Sequence, residues 1–108
     1  METSKVLSLL GFSKRAGKLV SGANQVLMSI EKHKAKLVVI SSDTAKNTVD
    51  RISRLAEEKG VRVVIISTNE ELSRITGEEN RGTYAVLDRT FSEPIISLVD
   101  SMSQKEDN

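Results

Sequence analysis

The stretch KLVVISSDTAKNTVDRISRLAEEKGVRVVIIS, residues 36–67, decides the architecture. It opens and closes on short apolar runs, residues 36–41 and 62–67. Runs of this length that stay apolar throughout, instead of alternating, are typical of strands buried on both faces. Between them Val49, Ile52, Leu55 and Ala56 recur at helical spacing. Asp43 or Thr44 is placed to cap that helix, and Gly60 to stop it. A strand, a helix and a second strand therefore follow one another within about thirty residues.

The same alternation extends outward. Upstream, Val6, Leu9 and Leu10 mark a first helix that Gly11 or Gly17 ends. Residues 18–20 form a short candidate strand. Ser21-Gly22 can cap a helix running to about His33, with Val26, Leu27 and Ile30 as its apolar stripe. Downstream, residues 68–71 have the spacing of a capping box. They open a short helix with Leu72 and Ile75 inward and Gly77 as its close. Residues 83–88 read as the last strand. Residues 90–93 form a second capping box, and Pro94 then falls within or next to the first turn, where a missing amide costs little. Ile95, Ile96, Leu98, Val99 and Met102 face the core.

Five helical patterns thus alternate with four strand-like ones. That order predicts the α/β class: a single-domain, three-layer α/β/α sandwich with a four-stranded mixed sheet. The domain spans residues 1–102, and residues 103–108 read as a flexible polar tail. With 108 residues the chain has room for one core and no second domain.

Composition excludes several function classes. There is no cysteine, hence no disulfide, thiolate metal site or thiol nucleophile. The lone histidine, His33, lies in Glu-Lys-His-Lys at a helix end, where a capping or solvated role suffices. No second histidine exists to build a metal site, and no serine sits in a nucleophile motif. The adjacent carboxylates Glu57-Glu58, Glu70-Glu71 and Glu78-Glu79 do not share a helix face and read as solvated charges. No apolar run approaches a membrane span, and no signal segment opens the chain, so a cytoplasmic address is expected. The expectation is a protein with no enzymatic activity and no cofactor.

Charge is unevenly placed. Residues 1–54 carry ten Lys/Arg and four Asp/Glu, a net of +6, whereas residues 55–108 carry six and eleven, a net of −5. A basic part suited to an anionic partner follows if the halves also separate in space.

The anion-facing candidate is GFSKRAGKLVSGANQ, residues 11–25. It is no nucleotide loop. Five residues separate Gly11 from Gly17-Lys18 where a phosphate loop has four, and Leu19 stands where a hydroxyl must hold magnesium. The amides of Gly22, Ala23 and Asn24 would instead face outward at a helix start, a natural anion site. The Asn24 side chain can donate and accept toward base edges. Lys14, Arg15 and Lys18, just upstream, are placed to reach phosphates. A capped helix with solvated lysines is the plainer account of the same residues. Aromatics number only three, too few for stacking along a single strand, so any RNA would be read by shape, phosphates and base edges.

Taken together, SGANQVLMSIEKHKAKLVVISSD, then EELSRITG, then TYAVLD, resembles the kink-turn RNA-binding ribosomal proteins. That superfamily is named for the archaeal large-subunit protein "L seven Ae", and the likeness is nearest to its small bacterial YlxQ-like branch. It covers about residues 7–100. The resemblance implies an α/β/α domain that binds a kink-turn, a sharply bent duplex with a three-nucleotide bulge and tandem sheared G·A pairs, without changing it chemically. Structured RNA, including ribosomal RNA, is the implied partner of a monomer; ribosomal or regulatory proteins are further candidates.

By family position, Gly22, Ala23, Asn24 and Gln25 match the helix-start motif, with Gln25 where Glu is usual and Met28 where Lys is usual. Asp43, Thr44 and Lys46 match a loop beside the RNA. Asn80, Arg81 and Gly82 match the segment that meets the bulge. The departures at Gln25 and Met28 weaken the polar surface and leave apolar area exposed. They support the alternative function, a protein-interaction or regulatory module on the same fold with weak or no RNA binding.

Overall fold

A computed structural model of the chain describes residues 2–79 and 82–106. Among the described residues nine elements follow in order: α1 (Glu2–Arg15), β1 (Leu19–Ser21), α2 (Ala23–Glu31), β2 (Leu37–Ile40), α3 (Lys46–Lys59), β3 (Val63–Ile65), α4 (Asn69–Thr76), β4 (Thr83–Val86) and α5 (Arg89–Glu106). The four strands form one sheet in the order β1-β4-β2-β3. β4 runs antiparallel to both β1 and β2, and β3 is parallel to β2. Strands β1, β2 and β3 therefore share a direction, and the sheet is mixed as expected.

The pleat explains the three layers. Along β2, Leu37 and Val39 join the core cluster of Val6, Leu10, Leu72 and Ile95, which belongs to α1, α4 and α5. Val38 and Ile40 point the other way, into the cluster of Val26, Ile30, Ile52 and Ala56 from α2 and α3. β4 splits likewise, with Tyr84 and Val86 on the first face and Ala85 on the second. Period-two alternation on a strand that is apolar at every position is what a two-sided sheet requires.

Several local expectations are corrected, and the choice between Gly11 and Gly17 is resolved. β3 is not buried on both faces. It is an edge strand of three residues, with Val64 buried and Ile65 55% exposed, because the chain order places it outside β2. Ile75 is exposed, and Thr76 is the buried residue of that turn, its hydroxyl donating to the Leu72 carbonyl. Gly17, with positive φ, follows α1, while Gly11 lies inside the helix against Ile75. Asp88, not Thr90, caps α5: its carboxylate accepts the Thr90 amide at 2.8 Å and its carbonyl accepts the Ser92 amide. Hydrogen bonds from Thr90, from its amide first and its side chain second, hold the Asp88 carboxyl below its usual range, with Lys18 contributing through space. Pro94 therefore sits in the second turn of α5. The helix continues to Glu106, into the stretch read as a loose tail.

Candidate nucleic-acid interface

Parallel strands followed by helices gather the helix starts at one end of the sheet. α2 follows β1, α3 follows β2 and α4 follows β3. Their N-termini and the beginning of β4 make a single rim. The first turn of each helix leaves amides without intrahelical acceptors, so the rim is rich in main-chain donors.

The three starts are finished differently. Thr68 caps α4, its hydroxyl accepting the Glu71 amide at 3.2 Å. The Asp43 carboxylate, from the loop after β2, accepts the Asn69 amide at 3.0 Å. Hydrogen bonds from Ser41 and from that amide keep the Asp43 carboxyl below its usual range. Glu71 does not close the expected reciprocal box; its carboxylate takes the Ser67 hydroxyl instead. α2 begins on Gly22 and α3 on Ala45, neither with a side-chain cap, and neither first turn carries an acid. The expectation that Asp43 or Thr44 caps α3 is thus wrong. Asp43 caps α4, and the Thr44 hydroxyl lies 2.7 Å from that of Ser41 and donates to the Gly82 carbonyl.

Gly22 is fixed by the sheet. Its amide donates to the Thr83 carbonyl at 3.0 Å and is not free for a ligand as expected; the Ala23, Asn24 and Gln25 amides are the ones that remain. Its φ of 92° and ψ of 145° belong to a region that side chains beyond glycine rarely adopt. That backbone turns the chain from β1 directly into α2 and leaves Asn24 and Gln25 exposed. Met28 is one helical turn from Asn24 on the same face and is 47% exposed.

Gly82 closes the other side. A Cβ there would lie 3.1 Å from both the Ser41 and Thr44 hydroxyls, and its φ is +64°. The Ser41 amide also donates to the Gly82 carbonyl at 2.8 Å. The last residues of β2 and the first of β4 are therefore locked together beneath the open start of α2. Thr83, 1% exposed, has the one buried side-chain oxygen without a partner among the described residues. Nothing in the sequence pattern marks Ser41 or Thr83 as part of this rim.

The structure brings together Gly22, Ala23, Asn24, Gln25, Asp43, Thr44, Lys46 and Gly82. Lys46 is exposed and pairs with Asp50 at 2.9 Å one turn along. Asn80 and Arg81 lie outside the described residues. Lys14, Arg15 and Lys18 are not at the rim's edge. The Lys18 carbonyl accepts the Leu87 amide at the start of β1, one strand length, roughly 10 Å, from Gly22. Lys14 pairs with Glu78, and the Arg15 guanidinium sits 4.8 Å from the centre of the Phe12 ring.

No helix among the described residues is long and apolar enough to cross a membrane. Comparisons with known proteins agree with the architecture. The chain is 35% identical over 92 residues to RNA-binding protein YlxQ of Bacillus subtilis, covering 85% of this chain and 92% of that one. It is 31% identical over 104 residues to large ribosomal subunit protein eL8 of Thermoplasma acidophilum, covering 94% and 86%. A Bacillus halodurans structure, titled as a protein of unknown function, superposes with a TM-score of 0.85 at 30% identity, covering 89% of this chain and 97% of that one. The family model for the ribosomal protein L7Ae/L30e/S12e/Gadd45 family matches residues 4–95, and the chain belongs to that family.

Proposed function

We propose that this protein binds structured RNA of the kink-turn type, without catalysis, through the rim formed by the start of α2, the loop after β2 and the start of β4. One observation carries the reading: α2 begins on an uncapped glycine, with the exposed amide side chains of Asn24 and Gln25 beside its unsatisfied main-chain donors. Donors fixed in a rigid frame suit phosphate oxygens, and an exposed amide side chain suits a base edge. Family membership and the two curated relatives, one named for RNA binding and one for the large ribosomal subunit, support the choice of RNA and of a ribosomal or similar structured target. The proposed setting is the cytoplasm.

The test is an electrophoretic shift with a kink-turn duplex and with the same duplex after its G·A pairs are replaced by Watson–Crick pairs. The bent RNA shifts and the control does not. Equal binding to both removes shape recognition from the reading.

A second reading, a protein-interaction surface, draws on the exposed Met28. The variant Met28→Lys separates them. An RNA site gains affinity and about one unit of salt slope from the added cation, whereas an apolar protein contact is lost.

A further inference from the structure

The opposite end of the molecule holds a second feature that the proposed RNA surface does not use. A cavity of about 290 Å³ opens between the ends of α2 and α3 and the start of α5. Four basic residues line it: His33, Lys36, Lys59 and Arg89. Ser92 and Glu93 share the wall.

The helix dipoles account for only part of this set. His33, in the left-handed conformation past α2, and Lys59, in the last turn of α3, stand at negative helix ends, where cations are favoured. Lys59 also pairs with Glu31 at 3.7 Å and Glu58 at 3.8 Å. Arg89 is the opposite case. It is the first residue of α5, at a positive helix end, where a cation is disfavoured. Among the described residues neither Arg89 nor Lys36 has a carboxylate partner within ion-pair distance.

Ser92 offers a hydroxyl to the same cavity. The residue is 2% exposed and lies on the cavity wall; its hydroxyl, unlike that of Thr83, keeps access to the cavity and makes no hydrogen bond among the described residues. A hydroxyl that reaches the cavity and is not engaged within the protein is available to a ligand there. Two cations without a carboxylate partner and a hydroxyl donor around one cavity suit a tetrahedral oxyanion, although the start of α5 itself is closed by Asp88.

We propose that this cavity is a phosphate-binding site, held by Lys36, Arg89 and Ser92, with Lys59 and His33 at its margin. Glu93 is the one carboxylate on the wall and weakens the site. The phosphate comes either from a strand of bound RNA or from a small phosphorylated ligand. α2 is nine residues long, so the cavity lies roughly 13 Å or more from the rim. That is within the span of one RNA arm.

The experiment is a titration of the full chain with inorganic pyrophosphate, followed by amide NMR. Shifts are expected at Gly60, Val61 and Ser92, saturating with a single affinity. The double substitution Lys36→Ala with Arg89→Ala weakens that affinity about tenfold or more. Ser92→Ala weakens it by a smaller factor, and Glu93→Gln tightens it. Far-UV circular dichroism confirms that each variant is folded. The proposal is overturned if pyrophosphate leaves these amides unmoved, shifts only the start of α2, or binds the double variant equally well.

The source of the phosphate is read separately, from the salt dependence of kink-turn RNA binding. A slope reduced by about two in the double variant, with G·A discrimination kept, assigns the phosphate to RNA. An unchanged slope, with pyrophosphate binding lost, assigns it to a small ligand. Failure of RNA binding altogether removes the proposed function but leaves the pyrophosphate result standing.

Discussion

The starts of α2 and α4 lie on the same rim and are built in opposite ways. α4 is closed by the molecule itself. Thr68 and Asp43 each accept one of its amides, and Glu70 and Glu71 place negative charge in its first turn. α2 has a glycine cap, no acid in its first turn and no side chain over its donors. A helix that needed only to be stable would carry the α4 solution at both places, since a good cap contributes about 1 kcal/mol. In the proposed reading α4 is a structural support, while α2, open at its start as α3 also is, offers its donors to an outside acceptor.

The largest test installs the α4 solution on α2. In Asn24→Asp an acid enters the first turn at an exposed position, beside the amides and any incoming phosphate. RNA affinity should fall more than tenfold by filter binding, while the thermal midpoint stays equal or rises, because the charge suits the helix dipole. Loss of affinity together with loss of stability would mean that the variant merely disrupts α2.

Removing the side chain without adding charge comes next. Asn24→Ala should weaken kink-turn binding by about 1–3 kcal/mol, the range of one good base contact, with stability unchanged. An unaltered affinity takes Asn24 out of the site.

The reverse substitution probes α4. Thr68→Ala should lower stability by about 1 kcal/mol in urea unfolding and leave intrinsic RNA affinity alone. A matching loss of affinity would show that the two helix starts are not separable.

The smallest effect is expected in acid. Asp43 and Asp88, each accepting an amide at a helix start, have pKa values lowered on folding. Their contributions are fully present above the unfolded aspartate value, about 3.9, and are lost as pH falls through the lowered folded values. Asp88→Asn should therefore flatten the acid limb of the stability curve below about pH 4. An acid limb as steep as that of the parent chain would rule out a role for this carboxylate.

Much of this contrast could be read before any coordinates. The apolar runs at residues 36–41 and 83–88 announced central strands, because a strand buried on both faces leaves no polar alternation. The run at residues 62–67 looked the same, yet β3 lies at the edge. Hydropathy records burial along a chain, and the order of strands in a sheet is set by contacts between distant segments. Caps divided along the same line. Thr68 works on its own helix and was legible from a three-residue spacing. Asp43 works on α4 across 26 residues, so local spacing assigned it to the nearer α3.

The candidate site shows the same limit. Asn24, Gln25 and Met28 were legible because one helix start places them. Lys14, Arg15 and Lys18 were grouped with them by proximity in sequence, but β1 lies between. The pairing of Lys14 with Glu78 across 64 residues leaves no local trace. The close fit of Gly82 against Ser41 and Thr44 was also invisible, since it depends on β2 and β4 meeting in register.

The most direct measurement is amide hydrogen exchange at the start of α2, with and without a kink-turn RNA. Ala23, Asn24 and Gln25 should exchange freely in the unbound protein and become strongly protected in the complex, while Asn69 and Glu71 of α4 change little. Saturated RNA binding with those three amides still exchanging freely would contradict the account.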